Sequence, residues 1–208
     1  MAKDVIIIGY SGHAYVVIDA LKSQGRKVIG YADLVEKEGN PFNLDFLGYE
    51  DDEAVISKLK DNDFFISMSN NKIRRHIFRK LEKTIEPTCN AIHSSAIISD
   101  STETANGVMI SSNVVINALC KIHKGVICNT SSVIEHDCEV GEFVHVGPNA
   151  TLCGNVRIGD GTFIGANSVI KEGVNIGNNV TIGAGTVVLK NIPDNVTVVG
   201  NPAHVMQK

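Results

Sequence analysis

The sequence predicts two units in series: an α/β domain with a small parallel sheet over residues 1–88, and a parallel β-helix over residues 89–208. Three observations carry this reading. Up to about residue 85, short apolar runs alternate with helical patterns in the order β-α-β-α-β, and such units build parallel sheets. From Ile92 onward the pattern changes to a strict six-residue period. Aromatic residues make up 5% of the chain and Trp is absent, which argues against a layered core packed by large rings.

In the first unit, "DVIIIGY" is an apolar run ending at Gly9, suited to a strand buried on both faces. "HAYVVIDALKSQG" follows as a helix whose Val16, Val17, Ala20 and Leu21 recur at helical spacing, with Gly25 placed to stop it. "KVIGYAD" reads as the second strand. "DDEAVISKLK" reads as a second helix with acids in its first turn, favourable to the helix dipole. "DFFISMS" is the third strand and "NKIRRHIFRKLEKT" the third helix, with Ile73, Ile77, Phe78 and Leu81 expected on its packed side. The basic run "RRHIFRK" is expected on the exposed side of that helix rather than in a nucleic-acid patch.

In the second unit an aliphatic residue recurs every sixth position from Ile92 to Val188, broken only by Thr104 and Cys128. Four residues after each comes a mostly small one, such as Ala96, Val108, Cys120, Ser132 and Ala150. Neither the helical period of 3.6 nor the strand period of 2 gives this spacing. A β-helix of hexads does, each hexad forming one face of a triangular coil so that 18 residues complete a turn. The aliphatic points into the prism. Gly and Asn supply the unusual backbone angles of the corners. Coils stack at the interstrand spacing of about 4.8 Å, so residues 18 apart lie one above another.

The chain is 43% hydrophobic and 20% charged with a net charge of −4, typical of a soluble protein and without the basic footprint of a nucleic-acid binder. The run Val5–Ile8 is too short for a signal peptide, and no apolar run approaches the roughly 18 residues of a membrane span. Five cysteines without a CxxC pair read as reduced thiols of a cytoplasmic protein, with no metal site expected.

Four stretches, "GYSGHA", "SMSNNKIRRHIFRKL", "INALCKIHKGVICNTSSVIEHDCEVGEFVHVGPNATLCGNVRIG" and "VVGNPAHVM", resemble the hexapeptide-repeat nucleotide-sugar acetyltransferases of the PglD/NeuD type. The resemblance spans the chain. It implies a Rossmann-like N-terminal domain, a left-handed β-helix and a homotrimer with intersubunit active sites. It also implies acetyl-CoA as co-substrate and a nucleotide sugar as acceptor. The nearest pattern is that of enzymes acting on the 4-amino group of a UDP-linked amino-dideoxy sugar. Rival readings are a GDP- or dTDP-linked amino sugar, O-acetylation as in the sialic-acid branch, and a non-catalytic nucleotide-sugar-binding scaffold.

The candidate residues follow. His136, third in its hexad, should project outward. The resemblance makes it the general base, a task that suits an imidazole titrating near working pH. Asp137 matches the acidic residue that raises this basicity, although the family's pattern has Glu there; Glu135 is the alternative support. His145 matches a contact to acetyl-CoA near its thioester. It lies nine residues, half a coil, from His136, which favours a site shared between subunits. Gly154, 18 residues beyond His136, sits on the same edge and allows close approach to its backbone. Ala166 and Ala184, also 18 apart, match contacts to the pantetheine arm and equally fit plain turn packing. Gly9, Ser11, Gly12 and His13 form a strand-to-helix loop that in the family binds the nucleotide sugar, and helix N-termini favour phosphate. Asp33 matches a contact to the base, Leu34 stands where the pattern has a second Asp, and Ser69 replaces a usual glycine at the third strand's end. His76 and His123 are expected on solvated faces, and His93 at the domain junction.

Overall fold

The computed structural model describes residues 3–85 and 89–206. The expected domain boundary, between 88 and 89, falls at the edge of 86–88, outside the described residues. The first unit is a parallel four-stranded sheet. Strand β1 (Val5–Ile8) is entirely buried between β2 (Val28–Ala32) and β4 (Asp63–Ile66), and a short β3 (Asp45–Phe46) extends the sheet beyond β2. Strand β3 has no apolar run of its own and is absent from the sequence reading.

Three helices connect these strands: α1 (Gly12–Ser23), α2 (Glu53–Asp61) and α3 (Asn71–Leu81). Gly25 ends α1 as expected, with φ +73 and its N–H bonded to the Lys22 carbonyl at 2.9 Å. Two expected inward residues point out: Val16 is 40% exposed and Ile73 49%. On α1 the buried residues are Ala14, Val17, Ile18, Ala20 and Leu21; on α3 they are Arg74, Ile77, Phe78 and Leu81. Periodicity alone allows Ile73 or Arg74 to start the α3 stripe. The surface that α3 packs against selects the arginine, so "RRHIFRK" is not wholly an exposed face.

The second unit is a triangular prism whose strands from Ala91 to Val188 are two residues long, each ending on the inward residue of its hexad, aliphatic except at Thr104 and Cys128. Strand partners from Ala91 to Val188 are 18 residues apart, as in Ile127↔His145 and Glu139↔Arg157, and the last coil pairs at 16, as in Thr181↔Thr197. Face one carries Ala91–Ile92, Met109–Ile110, Ile127–Cys128, His145–Val146, Phe163–Ile164 and Thr181–Ile182. Face two runs from Ile97–Ile98 to Val187–Val188, and face three from Glu103–Thr104 to Asn175–Ile176. The inward side chains form one continuous core from Val108 to Val198. Each fully buried aliphatic contributes about 1.5–3 kcal/mol. The "small" position of several hexads bonds to the next coil: Cys120, Cys138, Thr162 and Ser168 each donate to the carbonyl 15 residues ahead. This accounts structurally for two of the five cysteines, all of which are free.

Helix α3 docks on the corner between faces three and one. The left-handed corner positions there are Gly107, Gly125, Phe143, Gly161 and Asn179. A Cβ on Gly107 would lie 2.6 Å from the Phe78 ring, one on Gly125 2.4 Å from the Phe143 ring, and one on Gly161 2.9 Å from Arg75 Nη2. At Gly107 and Gly161 a side chain would meet both a left-handed φ and the space that α3 occupies, whereas at Gly125 it would meet Phe143. The α/β domain also covers the early part of face one: outward-pointing Ala91, Met109 and Ile127 are buried in one cluster with α1 residues.

Candidate active site

His136 sits on the corner between faces two and three, 61% exposed at its side chain. Its hexad places Ile134 inward, so the ring stands free of the core. Asp137 occupies the left-handed corner position with φ 60, a conformation that Asn and Asp tolerate best among residues with a Cβ. That backbone turns its carboxylate onto the ring, with Nδ1 2.9 Å from Oδ2. The Asp137 hydrogen bond raises the His136 pKa above the usual imidazole value. Nδ1–H donates to the carboxylate, which leaves the Nε2 lone pair to accept a proton. Glu135 is occupied elsewhere: its Oε2 accepts from Asn117 Nδ2 at 2.9 Å, and it adds only a weaker long-range effect. Gly154 lies directly over the ring, where a Cβ would stand 2.7 Å from Cε1 and Nε2. Its lack of a side chain makes room for the base itself.

The remaining candidates occupy two other places. Ala166, half-buried, and Ala184, exposed, share the corner between faces one and two. The other group lines the crevice at the carboxyl ends of β1, β2 and β4, the usual ligand site of an open α/β sheet. Gly9 has φ +86 and no space for a Cβ beside Met68. Ser11 is the N-cap of α1 without a side-chain capping bond, so the first-turn N–H groups of Gly12 and its neighbours are not occupied by it. Asp33 is nearly buried, with Oδ2 accepting from the Tyr10 N–H at 2.9 Å and Oδ1 from the Leu34 N–H at 2.7 Å and Lys37 Nζ at 3.0 Å. Its carboxylate therefore ties the two crevice loops together. Leu34, 73% exposed, offers an apolar surface beside it.

His145 projects outward from face one, yet it is 6% exposed because the α/β domain covers it. Its Nδ1–H faces the Ser69 carbonyl at 3.4 Å, and its Nε2 accepts from Asn129 Nδ2 at 3.1 Å, which defines a neutral tautomer. Burial, then the nearby Arg74 and His13, push its pKa down to about 3. The His13 ring lies 6.3 Å away, and burial followed by Arg74 lowers its pKa to about 4. His145 thus belongs with the crevice, and on one chain it is a face away from His136.

Two residues at this junction, Arg74 and Asn129, escaped the sequence reading, whereas Asn71 belongs to the stretch Ser69–Asn71 expected to line the crevice. Arg74, 1% exposed, donates Nε to the Gly125 carbonyl at 2.7 Å and Nη1 to the Met68 carbonyl at 2.8 Å and the Ser69 carbonyl at 3.1 Å. Its Nη2 donates to Asn71 Oδ1 at 2.9 Å and the Phe143 carbonyl at 3.1 Å. Asn71 Nδ2 reaches the Gly161 and Thr162 carbonyls, both at 3.1 Å. Asn129 fixes the His145 tautomer. The missed signal was that Asn71–Leu81 contains no acid to pair with an arginine lying on its apolar stripe. His123, expected to be solvated, is half-buried and 3.2 Å from Glu139. Among the described residues, no group of three His, Cys, Asp or Glu side chains is placed to hold a metal, and no helix is long and apolar enough to cross a membrane.

Comparison with known proteins adds to this geometry. The PglD N-terminal domain family model matches residues 4–81, and the bacterial transferase hexapeptide model matches residues 155–190. A histidine-to-asparagine variant of perosamine N-acetyltransferase from Caulobacter crescentus, in complex with CoA and GDP-perosamine, superimposes with a TM-score of 0.92 at 33% identity, covering 99% of this chain and 97% of its own. The acetyltransferase domain of PglB from Neisseria gonorrhoeae, in complex with acetyl coenzyme A, matches at 30% identity and TM-score 0.92 over 99% of this chain and 100% of its own. WeeI from Acinetobacter baumannii matches at 28% identity and TM-score 0.88, covering 98% and 99%.

Proposed function

We propose the reaction of this chain from the premise that it belongs to the PglD-type nucleotide-sugar N-acetyltransferases: transfer of the acetyl group of acetyl-CoA to the amine of a nucleotide-linked amino sugar. The observation that supports it best is the exposed His136 ring, held by Asp137 through Nδ1 with Nε2 free, over a glycine. The neutral amine attacks the thioester carbonyl carbon and the N–C bond forms. His136 Nε2 takes the proton that the nitrogen sheds, and the C–S bond breaks to release CoA. General-base help of this kind is worth about 10²–10⁴-fold.

The finer reading is a UDP-linked 4-amino-4,6-dideoxy sugar as acceptor, in glycan or surface-polysaccharide synthesis. A GDP-linked acceptor is the second reading, favoured by the perosamine enzyme that binds GDP-perosamine at 33% identity. Assaying UDP-, GDP- and dTDP-linked 4-amino sugars separates the two, and a base-stable amide product separates both from O-acetylation.

The proposed site is completed by a second subunit of a homotrimer. The outward row of face two, Ile97, Val115, Val133, Thr151, Val169 and Val187, is mostly apolar and uncovered, with Ile97 67% exposed. The His136 and Gly154 corner flanks this face on one side, and the Ala166 and Ala184 corner flanks it on the other. Packing face two around a threefold axis sets the base edge of one protomer beside the slot edge of the next. His136→Ala should lower kcat by about 10²–10⁴-fold with the trimer intact. Wild-type turnover in that variant, or a monomer in sedimentation of the active enzyme, refutes the assignment.

A further inference from the structure

Two clefts flank the first turns of α3. One, of about 710 Å³, runs from Ser69 and His145 along face one to Asn195. The other, of about 720 Å³, lies along the outer side of the helix between Lys72 and Lys83. Lys72 lines both, and no Asp or Glu lines either. The cations of α3 must find carboxylates on other elements or go without. Arg79 meets Glu142 at 3.7 Å, and Lys80 pairs with Asp51. Among the described residues, Lys72 and Arg75 have no carboxylate within 4 Å.

Arg75 is the more telling of the two. Its Cζ lies 5.4 Å from the centroid of the Phe143 ring, and its Nη2 hangs over Gly161 beside Asn179. Its Nε and Nη2 are buried without a hydrogen-bond partner. Native proteins rarely bury such donors unpaired, and an exception asks for its acceptor. The neighbouring Arg74 bonds only to carbonyl and amide oxygens, so its charge is uncompensated as well. Arg75 and Lys72 thus meet at the rim of the second cleft, which no acid lines, with the buried Arg74 charge behind them.

We propose that Arg75 and Lys72 form a phosphate anchor that holds one phosphate group of a phosphorylated substrate at the mouth of this cleft. Arg75 supplies a fixed guanidinium charge lining this cleft and the lysine a mobile point charge, the pairing that suits a phosphate oxyanion. The proposal rests on the acetyltransferase reading, which supplies two phosphorylated substrates of the same chemistry: the diphosphate of a nucleotide sugar and the phosphates of CoA.

Calorimetric titration of the full-length protein tests it, with inorganic pyrophosphate, UDP, GDP, CoA and 3′-dephospho-CoA as probes. Arg75→Gln and Lys72→Gln should each weaken pyrophosphate binding about tenfold, as loss of one charge-assisted contact does. Arg75→Lys should recover part of it, and Lys60→Gln on the exposed side of α2 should change nothing. A matching loss with UDP and GDP assigns the anchor to the nucleotide. A loss with CoA that vanishes with 3′-dephospho-CoA assigns it to the 3′-phosphate. Binding of every probe within twofold of wild type in both glutamine variants overturns the anchor. If Arg75→Gln fails to fold, the exposed Lys72→Gln carries the same comparison. Acetyl transfer by the wild-type enzyme is measured alongside. Turnover with unchanged binding sinks the anchor and spares the reaction; weakened binding with no turnover on any amino sugar does the reverse.

Discussion

At the scale of single residues, the site depends on one backbone conformation. Asp137 reaches His136 because the corner of the coil demands a left-handed residue there, and aspartate both accepts that φ and directs a short carboxylate at Nδ1. A glutamate is not needed for the contact. The hexad register showed that His136 faces outward, while the roles proposed for His136 and Asp137 came from the family resemblance. The sequence left Glu135 open because register says nothing about where a flexible carboxylate goes; the structure sends it to Asn117. A base works in its neutral form, so kcat/KM should climb with pH through the His136 pKa, and the raised value puts that limb above the ordinary imidazole range. Asp137→Asn removes the cause of the rise. The limb should move to lower pH while the plateau rate falls, because a weaker base remains. A pH–rate profile with an unmoved limb contradicts the role given to Asp137.

At the scale of elements, the coil was readable and the helix docking was not. Each two-residue strand from Ala91 to Val188 ends on the inward residue of its hexad, so a period counted in the sequence is the strand spacing itself. The fate of α3 depended on a partner surface far along the chain. An arginine in a helix ordinarily reads as solvated, yet Arg74 fills the gap between the crevice loop and the carbonyls of Gly125 and Phe143. A clue was present in face one, whose outward row starts Ala91, Met109 and Ile127, whereas face three's starts Glu103, Lys121 and Glu139. Apolar outward residues mark a covered face, and they foretell the burial of His145 just beyond them. Arg74→Met leaves several buried carbonyls without donors, each worth about 1–3 kcal/mol, and should destabilise the protein by about 3 kcal/mol or more in urea unfolding. Ile73→Ser, on the exposed side of the same helix, should stay within about 0.5 kcal/mol.

At the scale of the whole molecule, the joint between the two units carries a pH signature. His145 and His13 are held neutral in the folded protein, with pKa values of about 3 and about 4 against the ordinary 6.5. From pH 6.5 down to about 4 the unfolded chain binds protons that the native state refuses, so stability falls on acidification. The slope approaches about 1.4 kcal/mol per pH unit for His145 and less for the partly buried His13. Urea midpoints at pH 7.5, 6 and 5 should show this decline, and His145→Gln should flatten it; an equal slope in the variant removes His145 as the cause. The prism also has unlike ends. At one, α1 closes the first coil, with Gln24 Oε1 accepting from the Ile92 N–H at 3.1 Å and Ser23 Oγ from the Ser94 N–H at 2.8 Å. At the other, Thr197–Val199 adds to face one and His204–Val205 folds back antiparallel against it. A coil that offers the same ladder above and below is in principle a monomer unit of an endless polymer, each molecule templating the next. The two unlike ends act as chain terminators. Deleting residues 200–206 should therefore turn a discrete particle into one that elongates end to end, visible as filaments by electron microscopy, while short particles alone would show that the remaining faces already block growth.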